Sequence, residues 1–166
     1  HQGICAQADG YPYVSAAELL ARPDPLIVAL DEVQDPQNLG AVLRASVAVG
    51  VDAVVLPRRR GALLTPGVHR ASAGISFIAP VAAPQNLALA IKTLKESGYW
   101  VVAADAGEGS QPATTFDWPQ KTALIMGSEG EGVAHLLRRE SDFIVALPMD
   151  PRVESLNVAV ACGALS

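Results

Sequence analysis

Ala123-Leu124-Ile125-Met126-Gly127-Ser128-Glu129-Gly130-Glu131-Gly132 decides the fold: a short unbroken apolar run enters a turn with three glycines in six positions. Such a run reads as a strand buried on both faces, and the glycines expose main-chain N–H and C=O groups at its carboxyl end. Working outward, similar runs occur at Leu26-Ile27-Val28-Ala29-Leu30, Ala53-Val54-Val55-Leu56, Trp100-Val101-Val102-Ala103 and Phe143-Ile144-Val145-Ala146-Leu147. Helical spacing separates them, from Asn38 to Val49 closed by Gly50 and from Asn86 to Ser97 closed by Gly98. Ser15-Ala-Ala-Glu18 forms a capping box ahead of Leu19-Leu20. The alternation predicts an α/β domain with a mainly parallel sheet, helices on both faces and ligands at the carboxyl ends of the strands. Ala106 to Gln120, rich in Gly, Ser, Pro and Thr, reads as one long surface connection.

The chain has 166 residues, 50% apolar, 17% charged and 5% aromatic, which suits one domain with an aliphatic core and excludes a disordered tail. No apolar run reaches the roughly 18 residues of a membrane span, so a soluble protein without a membrane partner is expected. A net charge of −5 argues against gripping nucleic acid by bulk electrostatics; Arg58-Arg59-Arg60 is the only basic run. Cys5 and Cys162 form no CxxC, and His1, His69 and His135 are scattered, so neither a disulfide framework nor a metal is expected. A reducing cytoplasm fits. The GxxxxGK[ST] and GxGxxG nucleotide signatures are absent, and Met126 stands where a GxSxG elbow around Ser128 would need its first glycine. The chain opens on His1 and stops at Ser166 within an apolar run, as expected of a piece of something longer.

Three strand-end turns carry the chemistry. In Asp31-Glu-Val-Gln-Asp35-Pro36-Gln-Asn38-Leu-Gly40-Ala-Val-Leu-Arg44, Asn38 is predicted to cap the helix. Gly40 lies one turn beneath Arg44, giving the guanidinium room to fold over the turn toward a phosphate. Spacing alone gives equal weight to a plain cap with a solvated Arg. In the second turn, Glu129 is placed to bind a cation or orient Arg44, against a bland tight turn with solvated glutamates. The third, Leu147-Pro148-Met149-Asp-Pro-Arg152-Val-Glu154-Ser155-Leu156-Asn157, leads into a small-residue helix from Val158 to Leu165. Ser155 is its expected N-cap, and Asn157, a poor helix former, is expected to have a hydrogen-bonding task in the first turn.

Together these turns resemble the SpoU (TrmH-like) branch of the SPOUT methyltransferases, which transfer a methyl group from S-adenosylmethionine to a ribose 2′-hydroxyl of RNA. The resemblance rests on Asn38, Gly40 and Arg44; on Gly127, Glu129, Gly130 and Gly132; and on Pro148, Met149, Ser155, Leu156 and Asn157. His69-Arg70-Ala71-Ser72-Ala73-Gly74 is similar to a further family segment, and His1-Gln2-Gly3 to the linker leading into the domain. It implies a linker over residues 1–22, a catalytic domain over 23–166 and a C-terminal deep trefoil knot, which the strand pattern itself does not predict. It implies S-adenosylmethionine as cofactor, bound by Gly127, Ser128, Gly130, Gly132, Leu147, Met149, Ser155 and Leu156. The implied catalytic residues are Arg44, Asn38, Glu129, Ser155 and Asn157, with Arg44, Ser72 and Gly74 meeting the RNA and no metal.

A guanidinium gives up its proton too reluctantly to serve as a base, so Arg44 is expected to clamp phosphate and stabilise charge, with Glu129 or the RNA assisting proton transfer. A homodimer through the knot region and last helix is implied, as is a separate N-terminal RNA-binding domain outside this chain. Within the family, the His1-Gln2-Gly3 entry and the Asp-Pro-Gln-Asn-Leu-Gly motif resemble the guanosine 2′-O-methyltransferases of large-subunit rRNA more than the tRNA enzymes. Alternatives are a tRNA 2′-O-methyltransferase or a non-catalytic RNA-binding or ribosome-assembly module. Outside the family stands a nucleotide-binding domain acting on a small acidic metabolite.

Overall fold

The computed structural model describes residues 10–20, 25–58, 61, 63–128 and 130–166. Strands β1 (Ile27–Leu30), β2 (Ala53–Val55), β3 (Val81–Ala82), β4 (Trp100–Ala104), β5 (Gln111–Pro112), β6 (Thr122–Met126) and β7 (Phe143–Ala146) form one seven-stranded sheet in the order β3-β2-β1-β6-β4-β7-β5. Every pairing is parallel. From β1 the chain steps outward through β2 to β3, then crosses to β4 and β5 before β6 and β7 fill the gaps. The reversal leaves a crevice at the carboxyl edge of β1, β6, β4 and β7, where an open parallel sheet binds ligands.

Both faces are covered. Alternate strand residues point to opposite sides: Val28, Leu30, Leu124 and Met126 join one core, and Ile27, Ala29, Ala123 and Ile125 the other. The first core holds residues of α2 (Pro36–Ala48), α3 (Pro66–Ala71) and α6 (Val158–Leu165); the second holds residues of α1 (Ala16–Leu20), α4 (Leu87–Glu96) and α5 (His135–Glu140). Side chains of both central strands are therefore buried throughout, which is why each run is uniformly apolar.

All five expected strands form, and two were missed. β3 has two residues; β5 has two and interrupts the stretch read as one connection from Ala106 to Gln120. The Ser15–Glu18 capping box is reciprocal, with Glu18 N donating to Ser15 Oγ and Ser15 N to Glu18 Oε2. This acceptance holds the Glu18 carboxyl below its ordinary value. Within the expected linker, Leu19 is buried and Val14 N donates to Val81 O at 2.9 Å, so this stretch packs on the domain.

Two caps differ from expectation. α2 is capped by Asp35, whose carboxylate accepts from the main-chain N–H of Gln37 and of Asn38, with Pro36 as first helical residue. Asn38 thus sits inside the first turn, its side chain released from capping. α6 spans the expected residues, yet its cap is Asn157, accepting from Ala159 N at 3.0 Å, and Ser155 lies two residues ahead of it.

Candidate active site

The crevice holds a cavity of about 340 Å³, within the range of small-molecule sites. Three chain segments enclose it. β6 supplies Met126 and then Gly127, Ser128, Gly130, Glu131 and Gly132; β7 leads to Leu147, Met149, Glu154, Ser155 and Leu156; β4 ends in Ala104, Asp105 and Ala106. Val158, Ala161 and Leu165 of α6 close it. All eight residues expected to hold the cofactor line this one cavity.

The glycine turn has a definite architecture. Ser128 N donates to Gly132 O at 3.2 Å and Gly132 N to Ser128 O at 3.1 Å, an antiparallel bridge that folds residues 128–132 back on themselves. A Cβ on Gly127 would strike the Gly132 carbonyl and Val133 N, so only glycine permits the return. Gly130 and Gly132 adopt positive φ. Asp31 anchors the turn from the end of β1: its main-chain N–H donates to Met126 O, and its carboxylate accepts from Ala134 N, both at 2.8 Å. Glu129 lies outside the described residues, so its expected role is not located.

Next to the cavity, Asn157 Nδ2 donates to Asn38 Oδ1 at 2.9 Å. The first and third turns are thereby joined through side chains that capping alone would not bring together. Neither asparagine lines the cavity, and neither does Arg44. Arg44 lies six residues beyond Asn38, about 9 Å along the helix axis, with an exposed side chain. No described residue pairs with its guanidinium.

The expected reason for Gly40 is corrected. A Cβ there would run into Ala71 Cβ and come within 2.8 Å of Ser72 N. Glycine at this position lets α3 lie against α2; it does not clear a path for Arg44. Ser72, expected to face the site, is fully buried, and its one hydroxyl proton is shared between His69 O at 3.1 Å and Ser76 Oγ at 2.9 Å while its oxygen accepts from Ser76 N. Burial removes that hydroxyl from reach of an RNA strand. Gly74 takes positive φ ahead of the 3₁₀ turn Ile75–Phe77 and does not line the cavity.

The sequence reading missed the β4 wall. Asp105 follows an apolar run at its carboxyl end, the same signal that marks the other turns, but the Gly, Ser, Pro and Thr that follow from Ala106 carry no periodicity to set it apart from a surface connection. Glu131 and Glu154 also line the cavity. With Asp105 they present carboxylates to whatever binds. Among the described residues no His, Cys, Asp and Glu group could hold a metal ion, and no helix is long and apolar enough to cross a membrane.

Comparison with known proteins agrees with this geometry. The chain is 42% identical over 168 residues to the 23S rRNA (guanosine-2′-O-)-methyltransferase RlmB of Pseudomonas putida, covering 98% of this chain and 67% of the relative. The RlmB of Pseudomonas aeruginosa is 40% identical, with the same coverage of both chains. Among solved structures, an AdoMet-bound rRNA methyltransferase from Sinorhizobium meliloti superposes with a TM-score of 0.84 at 30% identity, over 93% of this chain and 59% of that one. The SpoU methyltransferase AviRb from Streptomyces viridochromogenes, in complex with AdoMet, gives 0.81 at 25% identity, over 93% and 62%. The chain therefore spans about two thirds of the relatives' length and about three fifths of the solved chains. A profile of the SpoU rRNA Methylase family matches residues 25–166, and on that match the chain belongs to the SpoU rRNA methylase family.

Proposed function

We propose that this chain is the catalytic portion of an S-adenosylmethionine-dependent RNA methyltransferase that modifies a ribose 2′-hydroxyl of a guanosine in large-subunit rRNA. The observation that carries the reading is the convergence of Gly127, Ser128, Gly130, Gly132, Leu147, Met149, Ser155 and Leu156 on one cavity at the sheet's carboxyl edge. The relatives' names support the guanosine and the rRNA.

The cavity fits the cofactor. Its aliphatic walls suit an adenine, the glycine turn offers close main-chain approach, and the exposed carboxylates of Glu131 and Glu154 suit a ligand with net positive charge. When bound, S-adenosylmethionine supplies a methyl group on a positively charged sulfur, open to in-line attack by the ribose oxygen. The protein's share is alignment and exclusion of water. Gly127 to Gly132 and Leu147 to Leu156 would fix the ligand from two sides. Asn38 and Asn157 set the position of α2 against α6, and Arg44 presents a guanidinium to an RNA phosphate. That guanidinium stabilises the developing charge; Glu129 or the RNA receives the 2′-hydroxyl proton.

The C-terminal knot, the 23–166 catalytic boundary, a cytoplasmic location and a homodimer through α6 belong to the same proposal. Val160 is 58% exposed on a helix whose other face is buried, which suits a second copy. Incubation of the chain with unmodified large-subunit rRNA and methyl-labelled S-adenosylmethionine tests the reaction. Label in one alkali-resistant dinucleotide beginning with guanosine is expected, lost in Arg44→Ala with cofactor affinity retained. Label on a base, or equal labelling by Arg44→Ala, contradicts it.

A further inference from the structure

We propose that Asp105 is a cofactor-binding residue that accepts the hydroxyls of a ribose cis-diol, and that Arg138 is the positioning residue which holds the Asp105 wall in place. The assignment rests on the functional reading above and names the group that this part of the cavity receives.

Asp105 follows β4, between the strands that carry the other two walls. Its main-chain N–H donates to Val145 O at 2.9 Å, fixing its backbone to β7. Across the cavity floor its carboxylate lies against Gly132, where a Cβ would stand 3.5 Å from Oδ2. The side chain is 21% exposed, and no described N–H or O–H group donates a hydrogen bond to it. A carboxylate so placed, facing the cavity, has acceptor capacity to offer a bound ligand.

Arg138 decides the kind of donor. Its Nε lies 3.6 Å from Asp105 Oδ2, an ion pair without a hydrogen bond, and that Nε is buried with no other partner. Its Nη2 donates to Glu108 O at 2.5 Å and passes where a Cβ on Gly107 would stand only 2.6 Å away. One side chain from α5 therefore reaches across to residues 105–108, its guanidinium lying against Gly107. Because Arg138 already offsets the charge of Asp105, a neutral pair of donors suits this carboxylate better than a second cation. Glu131 and Glu154, both exposed and without an ion pair to a described residue, remain for the ligand's positive groups. A cis-diol offers two neutral O–H donors at the spacing of two carboxylate oxygens, the contact by which an acidic residue recognises ribose in dinucleotide folds.

Calorimetry with the whole chain tests both parts. The probes are S-adenosylhomocysteine, 5′-methylthioadenosine and the 2′,3′-dideoxy form of the latter. Wild type is expected to bind methylthioadenosine at least tenfold more tightly than its dideoxy form. Asp105→Ala is expected to lose that preference and at least tenfold in affinity for S-adenosylhomocysteine. Arg138→Met should weaken S-adenosylhomocysteine binding several-fold in the wild-type background and not in Asp105→Ala, with Arg138→Lys recovering part of the loss. Equal binding of the two methylthioadenosines by wild type, which needs no variant to fold, overturns the diol contact. Unchanged affinity in a folded Asp105→Ala does the same. An equal effect of Arg138→Met in both backgrounds overturns the positioning role. Failure of wild type to bind any of the probes overturns the functional reading and this assignment together.

Discussion

Asn157 does two things with one amide: Oδ1 caps α6 by accepting from Ala159 N at 3.0 Å, and Nδ2 donates to Asn38 Oδ1 at 2.9 Å, 119 residues away. The cap and the bridge are separable by substitution. Asn157→Ser keeps a capping oxygen and loses the bridge; Asn157→Ala loses both. The first is expected to cost under about 1 kcal/mol and the second about 1–2 kcal/mol. In a urea-unfolding double-mutant cycle with Asn38→Ala, a coupling of about 0.5 kcal/mol or more is expected. Additivity would show that the bridge contributes nothing.

Gly40→Ala sets two effects against each other. Alanine favours a helix interior by about 1 kcal/mol. Here the added methyl meets Ala71 Cβ and crowds Ser72 N, at the C-terminal end of α3 where it packs on α2. Overpacking costs about 1–3 kcal/mol, so net destabilisation is expected. A rise in thermal midpoint would show that α3 moves aside freely.

Much of this was legible in the sequence. The five longer strands declared themselves because both faces of the sheet are buried, and the α6 boundaries followed from the small apolar residues after Asn157. β3 and β5 did not, since two residues carry no period, and β5 includes Pro112 on an exposed edge where its missing N–H costs nothing. Asp35-Pro36 carries a start signal, an acidic cap before proline, that outweighs Asn38 because proline is preorganised for the first helical position. Ser155 and Asn157 are equally good caps locally; a partner on another helix decides between them. Glycine at 40 answers to Ala71 at the end of α3 and to Ser72 just beyond it, not to Arg44 on its own helix, and a contact between segments so far apart has no local signature. Strand adjacency such as β1 beside β6 is set by tertiary packing across most of the chain and has no local signature.

Cys162 lies fully buried between Ser46 and Ser166. Burial pushes its thiol up, with the two serine contacts opposing. The folded chain therefore keeps a proton that the unfolded chain releases near the ordinary thiol value of about 8.5. The stabilisation is present in full below that pH and falls as pH rises toward the raised folded value. Between about pH 8 and 10, a range straddling the ordinary thiol value, the urea midpoint should fall more in wild type than in Cys162→Ala. In a Cys5→Ser background, iodoacetamide should label Cys162 only on unfolding. Parallel midpoints, or fast labelling of the native chain, would contradict the burial argument.

Leu124 is fully buried in the central strand β6. Leu124→Ala should cost about 2–5 kcal/mol by chemical denaturation, since flanking strands limit collapse of the cavity. A cost under about 1 kcal/mol would mean that this core is loosely packed.

The central claim is that the glycine turn shapes a cofactor cavity. Titrating S-adenosylmethionine into the chain by calorimetry, beside Gly127→Ala, tests it most directly. The account predicts saturable one-site binding by wild type, and at least tenfold weaker binding by a still-folded Gly127→Ala, because the added methyl breaks the Ser128–Gly132 closure. Equal affinity in the two proteins, or no binding by folded wild type, would contradict it.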